Sequence, residues 1–320
     1  MKTVFIVNPC AGKGNFSKNL IEKLNALTDI EKEFYITKSI GDATNFVRNY
    51  CKTNGAARFI ACGGDGTLSE VLNGIEQYQE AEIGVIPVGT GNDFCRNFEK
   101  ESLFDNILAQ VYGKTVRCDA IRYTTTVSGS VVSGYCTNMF NIGFDCNVAD
   151  LTSKMKKKPF ISGSIAYLLS IFVTLITKKG ADLKIEIDGR EEHNGKLLLT
   201  SIANGCYCGG GIKSNPLASI CDGKINMNII RNVPRYKFIY LLPFYMKGSH
   251  LKLKGIDKII RVATCSKIKI APKTEKIRIC VDGEIIDAGE TVFEICPSMF
   301  NFVVPETKIK STSELKKIHV

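Results

Sequence analysis

Residues 63–67 read Gly-Gly-Asp-Gly-Thr, an acid held between glycines directly after the apolar run RFIAC. Glycines at 63, 64 and 66 remove Cβ atoms that would block a phosphate group. Thr67 followed by Glu70 reads as a capping box, so a helix is expected to open here with its free amides turned to the loop, where phosphate binds. An acid beside phosphate is unfavourable unless a divalent cation bridges the two or the acid handles a proton, and both situations belong to phosphoryl transfer. Asp65 is therefore a catalytic candidate, with a turn-forming Asp-Gly as the plainer alternative. Two further glycine loops accompany it, NPCAGKG at 8–14 and GTGND at 89–93. None is a Walker A loop, because Gly12-Lys13 is followed by Gly14. The dinucleotide fingerprint fails as well, with Ser69 and Phe94 where its third glycine belongs.

The elements that must position these loops alternate. TVFIVN, EFYIT, RFIAC and IGVIPV read as strands, separated by helical patterns from Phe16 to Leu27, from Asp42 to Cys51, and from Leu68 onward. That alternation implies parallel crossovers in a layered α/β sheet, and places all three loops on one sheet edge, where ligands of open α/β folds bind. From about Thr115 short β-rich runs take over (VRCDAIRY, VVSGYCTNMF, DLKIEID, KLLLTSIAN, KINMNIIR, KIKIA, KIRICV, TVFEICP), implying a second, mostly antiparallel domain. An apolar helix is expected near Tyr236. The uncharged stretch 160–177, flanked by lysines, carries a weakly polar stripe and reads as an amphipathic core helix rather than a membrane span. The polar tail from Lys308 is expected to fray.

Composition bounds the rest. The chain has 320 residues, 44% hydrophobic and 23% charged, which suits globular domains with their own cores. A net charge of +10 favours anionic partners such as nucleotides or an acidic membrane surface; no nucleic-acid motif is present. Thirteen Cys without metal spacing and only three His argue against a zinc site, and the quick turn of MKTVFIVNP to Asn-Pro argues against an export signal. Reduced thiols in a cytoplasm are expected.

NPCAG, GGDGTL and GTGNDFCR in this order resemble the diacylglycerol kinase catalytic domain family, which also takes in related bacterial lipid kinases and the sphingosine and ceramide kinases. The similarity continues through NIGFD at 141–145, CDGK at 221–224, KGSH at 247–250 and VDGE at 281–284, nearly the whole chain. GGDGT alone is shared with NAD kinases and resembles phosphofructokinase loops; GTGNDF is more specific. Cys95 departs from the family's usual Ala, a small residue for a small residue.

The resemblance implies an α/β nucleotide-binding domain over residues 1–118 of the NAD kinase and phosphofructokinase three-layer type. A segment at about 298–310 would return to it, and residues 119–297 would form a β-rich lipid domain. It implies ATP-dependent phosphorylation of a lipid hydroxyl, diacylglycerol first, with phosphatidylglycerol, an isoprenoid alcohol or a sphingoid base as other acceptors. An NAD kinase or a non-catalytic nucleotide sensor is the rival. By motif, Asn8, Pro9, Cys10, Ala11, Gly12, Thr37, Gly63, Gly64, Asp65, Gly66, Thr67, Leu68, Thr90, Asn92 and Asp93 would hold ATP. Ser219, Asp222 and Lys224 match a structural Mg²⁺ site. Asp282, with Glu284 beside it, resembles the base proposed in bacterial diacylglycerol kinases, whereas sphingosine kinases give that role to the acid of the glycine loop, here Asp65. The residues alone do not choose, since Asp188-Gly189 and Asp282-Gly283 are equal hairpin signals. Lys13 and Arg96 are cation candidates for the transferred group. A lipid kinase would sit peripherally at a membrane, and KMKKK at 154–158 and 235–254 combine lysines with aromatics as interfacial segments do. A homodimer is left open.

Overall fold

The computed structural model describes residues 1–12, 16–26, 31–99, 101–127, 129–144, 147, 151 and 180–305. The stretch 160–177, the lysine run 154–158, Lys13, Asp145 and the tail from 308 lie outside the described residues. In chain order the first half builds β1 (Thr3–Val7), α1 (Phe16–Asn25), β2 (Lys32–Ile36), α2 (Asp42–Asn54), β3 (Arg58–Gly63), α3 (Asp65–Gly74), β4 (Glu82–Pro87) and α4 (Ile107–Tyr112). β1 pairs with β2 and β3, and β3 with β4, all parallel, as the alternating pattern requires. Every residue of β1 is buried because both sheet faces are covered. Val4, Ile6, Phe59 and Ala61 meet α2 and α3 on one face. Phe5, Val7, Ile60 and Cys62 meet Leu20 and Leu24 of α1 and Val111 of α4 on the other.

The second half contributes β5 (Lys114–Val127), β6 (Ser130–Cys136), β7 (Met139–Gly143), β8 (Ala181–Ile187), β9 (Arg190–Leu197), β10 (Leu199–Ala203), β11 (Ile225–Ile230), α5 (Arg235–Met246), β12 (Ile260–Cys265), β13 (Lys267–Pro272), β14 (Ile277–Val281), β15 (Glu284–Ala288) and β16 (Thr291–Val304). A six-stranded antiparallel sheet runs β12-β11-β10-β7-β14-β15. The remaining strands extend the parallel sheet in the order β2-β1-β3-β4-β16-β13-β8-β9, with β5 and β6 alongside. Phe140, Ile142, Ile202 and Met227 of the first sheet pack on Leu183, Ile185, Ile268 and Phe293 of the second, a sandwich core.

The expected boundary at residue 118 falls inside β5. This strand pairs with β16 along almost its whole length, from Thr125↔Thr291 to Lys114↔Val304. β16 joins β13 through residues 291–294 and β4 in parallel through Asn301 and Phe302. A shift between Cys296 and Phe300, where Ser298 takes φ +49°, lets one strand serve both neighbours. Its amide donates to Asp119 Oδ1 (2.7 Å), and Gly223 N donates to Oδ2 (2.7 Å).

Beyond the bulge, the Phe302 ring meets Phe94, Phe98 and Phe104 at 4.8–5.8 Å between centroids. Phe302→Ala should cost about 3–5 kcal/mol by emptying this cluster, measured as a fall in the urea midpoint.

Candidate active site

Each glycine loop leaves the C-terminal end of a parallel strand, and tertiary hydrogen bonds join them. After β1, Asn8 N donates to Cys62 O (3.0 Å), and Cys10 N and Ala11 N fold back on Asn8 Oδ1 and O. Asn8 Nδ2 donates to Thr67 Oγ1 (3.2 Å), linking the first loop to the second. Thr37 N reaches Val7 O (3.0 Å) from the end of β2. Pro9, Cys10 and Gly12 are exposed along this edge, as is Thr90 in the third loop.

The glycines turn out to serve a contact within the protein. A Cβ on Gly89 would lie 2.5 Å from Gly64 Cα, one on Gly91 2.9 Å from Asp65 Oδ2, and one on Gly63 2.1 Å from Thr67 Oγ1. The second and third loops thus touch backbone to backbone, which only glycine allows. Of the three glycines read as clearing space for phosphate, only Gly66 faces the neighbouring acid Glu284, whose Oε1 would lie 3.0 Å from an added Cβ. Asn92, at φ +52°, closes the third loop by donating from Nδ2 to Gly89 O (2.9 Å) and Pro87 O (3.3 Å).

The capping box does not form. α3 begins at Asp65 rather than near Leu68, its cap Gly64 offers no side chain, and Thr67 is buried within the first turn. Glu70 instead accepts from Gly41 N and Ala43 N (3.0 Å each), capping the start of α2. The helix still opens at this loop, and the amides of Gly64, Asp65 and Gly66 stand at its start, where the helix itself supplies no partner. Leu68 is buried in the core, so only its backbone faces the loop.

Acids converge on this helix start. Asp65 is half-buried; its Oδ1 accepts from Phe94 N (3.1 Å). Burial first and the Asp93 charge second push its carboxyl up to about 7; Asp282 adds to this, and the Phe94 and Asp93 amides oppose it. Asp93, expected with the nucleotide, spends its oxygens on Gly210 N (2.9 Å) and Gly211 N (2.7 Å) and lies 3.7 Å from Arg96. It is raised by burial against the pull of those amides. Arg96 in turn donates to Gly91 O and pairs with Glu101 (3.3 Å), so it braces the loop. Glu284 is raised by burial, then by Glu70 and Asp282.

Asp282 sits in the β14–β15 turn at φ +46°. Its Oδ2 accepts from Thr137 N (2.7 Å) and Oγ1 (2.8 Å), and its Oδ1 from Asn138 N and Met139 N (3.0 Å each), with the Cys136 thiol at 3.1 Å. Loop 136–139 was not read from the sequence as part of any site. Asn138 extends the network: its Oδ1 accepts from Asn97 Nδ2 (3.2 Å), while Asn97 Oδ1 takes Cys206 N (2.8 Å). Asn204 bonds Thr137 O (2.7 Å) and Asp119 O (2.8 Å). The only sequence signal was a density of Asn near the site, which is as common in loops.

The residues matched to a metal site lie apart from this cluster, in the loop before β11. Asp222 is exposed and accepts from Lys224 N (3.1 Å), and the Ser219 hydroxyl faces the Cys221 thiol (3.7 Å). No group of three His, Cys, Asp or Glu side chains able to hold a metal ion occurs among the described residues. One carboxylate with neighbouring carbonyls is nonetheless a hard oxygen donor set of the kind Mg²⁺ accepts.

A helix start that offers amides to phosphate, with a half-buried carboxyl of raised proton affinity beside it, suits phosphoryl transfer, and comparison with known proteins places the chain among lipid kinases. Residues 2–123 match the diacylglycerol kinase catalytic domain and residues 138–304 the YegS C-terminal NAD kinase beta sandwich-like domain. A diacylglycerol kinase of Staphylococcus epidermidis is 32% identical over 87% of this chain and 84% of its own. One from Bacillus subtilis is 28% identical over 87% and 88%. A crystal structure of a diacylglycerol kinase from Bacillus anthracis shares the fold, with TM-score 0.65 and 20% identity over 95% of this chain and 97% of that one. The chain belongs to the diacylglycerol kinase catalytic domain family.

Asp282→Ala should free three amides at once. Hydrogen exchange at Thr137, Asn138 and Met139 should then speed up by at least ~10-fold, each lost charge-assisted bond being worth about 1.5–3 kcal/mol.

Proposed function

We propose that the chain transfers the γ-phosphate of ATP to the hydroxyl of diacylglycerol, giving phosphatidic acid, with Asp65 as general base. One observation carries the choice of base. Asp282 accepts five hydrogen bonds from loop 136–139, so its oxygens are committed to holding that loop, whereas Asp65 accepts from the Phe94 and Asp93 amides beside it and has a raised proton affinity. Asp282 is then a positioning residue that fixes loop 136–139 and adds negative charge near Asp65.

ATP would lie on the exposed edge formed by Asn8 to Gly12, Thr37, the start of α3 and Thr90, its phosphates on the amides of Gly64 to Gly66. The α/β part over residues 1–118 would hold the nucleotide and residues 119–297 the acceptor, with β16 returning to the first. Mg²⁺ bound at Asp222 and the carbonyls of Ser219 and Lys224 would tie the loop before β11, next to the Asp119 contacts. When Mg²⁺ accompanies ATP it offsets phosphate charge; Asp65 draws the proton from the acceptor hydroxyl, Glu284 lines the approach, and the buried surroundings of Asp65 exclude water. Such an enzyme works peripherally at a membrane. No helix among the described residues is long and apolar enough to cross one.

Supplied with ATP and mixed vesicles, the chain should phosphorylate diacylglycerol in preference to phosphatidylglycerol, an isoprenoid alcohol, a sphingoid base or NAD, read by mass spectrometry. A product only from NAD overturns the lipid reading.

Asp65→Asn should lower kcat by ~10²–10⁴, and wild-type kcat should rise with pH as Asp65 loses its proton. Because its folded pKa lies above the unfolded carboxylate value, the folded state holds the extra proton between them. Stability therefore falls as pH rises toward 7. The Asn variant, which never ionises, should melt several degrees above wild type at pH 8 and match it near pH 4. An Asp282→Asn variant that loses kcat but keeps the acid limb, moved to lower pH because the Asp282 charge no longer raises Asp65, fits a positioning role; loss of the acid limb would make Asp282 the base.

A further inference from the structure

Helix α5 is apolar on nearly its whole girth, broken only by Arg235 and Lys237 in its first turn. Phe238, Leu241, Leu242 and Tyr245 turn inward and pack with Leu199 and Ile230 on the outer face of the six-stranded sheet. There they roof an apolar cavity of about 40 Å³. Tyr236, Ile239 and Tyr240 turn outward, 75%, 58% and 62% exposed. Helices with no polar face are normally covered on every side, and contiguous exposed apolar side chains mark a binding surface.

Charge identifies what covers this one. Between Asp222 and Asp257 the chain has no acidic residue. Arg231, Arg235, Lys237, Lys247, Lys252 and Lys254 are all exposed on and around the helix. In a symmetric pair of copies the same patch meets itself, so these cations would oppose one another. An anionic bilayer pairs them with lipid phosphates while the aromatics and Ile239 enter the headgroup layer, the arrangement of interfacial helices. We propose that α5 is the element that docks on an anionic lipid surface, so that the roof of the apolar cavity is the part of the protein in the membrane interface. This deepens the lipid-acceptor reading and rests on it for its purpose.

The chain has no tryptophan, so Tyr240→Trp installs a single reporter on the outer face of α5. With phosphatidylcholine vesicles containing phosphatidylglycerol, its emission should shift to the blue and the protein should co-sediment; with phosphatidylcholine alone both effects should be far weaker. The triple variant Tyr236→Ser, Ile239→Ser, Tyr240→Ser, and separately Lys237→Glu, should each weaken vesicle binding by about tenfold or more. Each should keep the wild-type urea midpoint and the activity on a short-chain diacylglycerol in detergent micelles. Unshifted emission, or wild-type vesicle binding by the triple variant, overturns the proposal. A dimer that the triple variant converts to monomer while vesicle binding persists also overturns it, by assigning the face to a second copy. Vesicle binding that depends on α5 while no lipid is phosphorylated supports docking and overturns the acceptor reading instead.

Discussion

Gly89 stands so close to Gly64 that a Cβ on it would lie 2.5 Å from the Gly64 Cα, and the site hangs on that contact. It brings the end of β3 against the end of β4, seals Asp65 beneath the third loop, and sets Phe94 N on its carboxylate. A methyl group at Gly89 would push the loops apart and admit water to Asp65, reducing the burial that raises its proton affinity. Loop packing and acid-base chemistry are thus one constraint. The same third loop carries Asp93, whose bonds to Gly210 and Gly211 hand the restraint on to the second half of the chain.

A carboxylate's function here follows from how many donors it already serves. Asp119, Asp93 and Asp282 each accept backbone amides from a distant segment, and those bonds hold loops 223, 298, 210–211 and 136–139 in register. Buried acids of this sort are satisfied and structural. Asp65 accepts from amides of its own neighbourhood, Phe94 and Asp93, and burial together with the Asp93 charge raises its proton affinity.

The parallel sheet was legible in the sequence because β1, β3 and β4 are covered on both faces and show as unbroken apolar runs between helical patterns. The helix start at GGDGT was legible in kind and misplaced in detail. Thr67 and Glu70 fit a local motif, but Glu70 gains more from two orphan amides of α2, a tertiary option that spacing does not encode. Asp188 and Asp282 show the limit most plainly. Both occupy hairpin turns at φ +46°. Asp188 accepts from Ser266 and Lys267 in a neighbouring strand end, and Asp282 from loop 136–139 at the site. Identical local chemistry acquires different meaning from partners far away in sequence, so only the resemblance to a family could separate them in advance.

The β5–β16 ladder has a mechanical consequence. Two long strands, hydrogen-bonded to each other from Lys114 to Thr125 and from Thr291 to Val304, run through both halves of the molecule. Flexing one half against the other would tear bonds from the middle of that ladder, so the strand pair resists such bending. The irregularity between Cys296 and Phe300 is the one place along this strand pair where the register already gives way, so any bending is concentrated there.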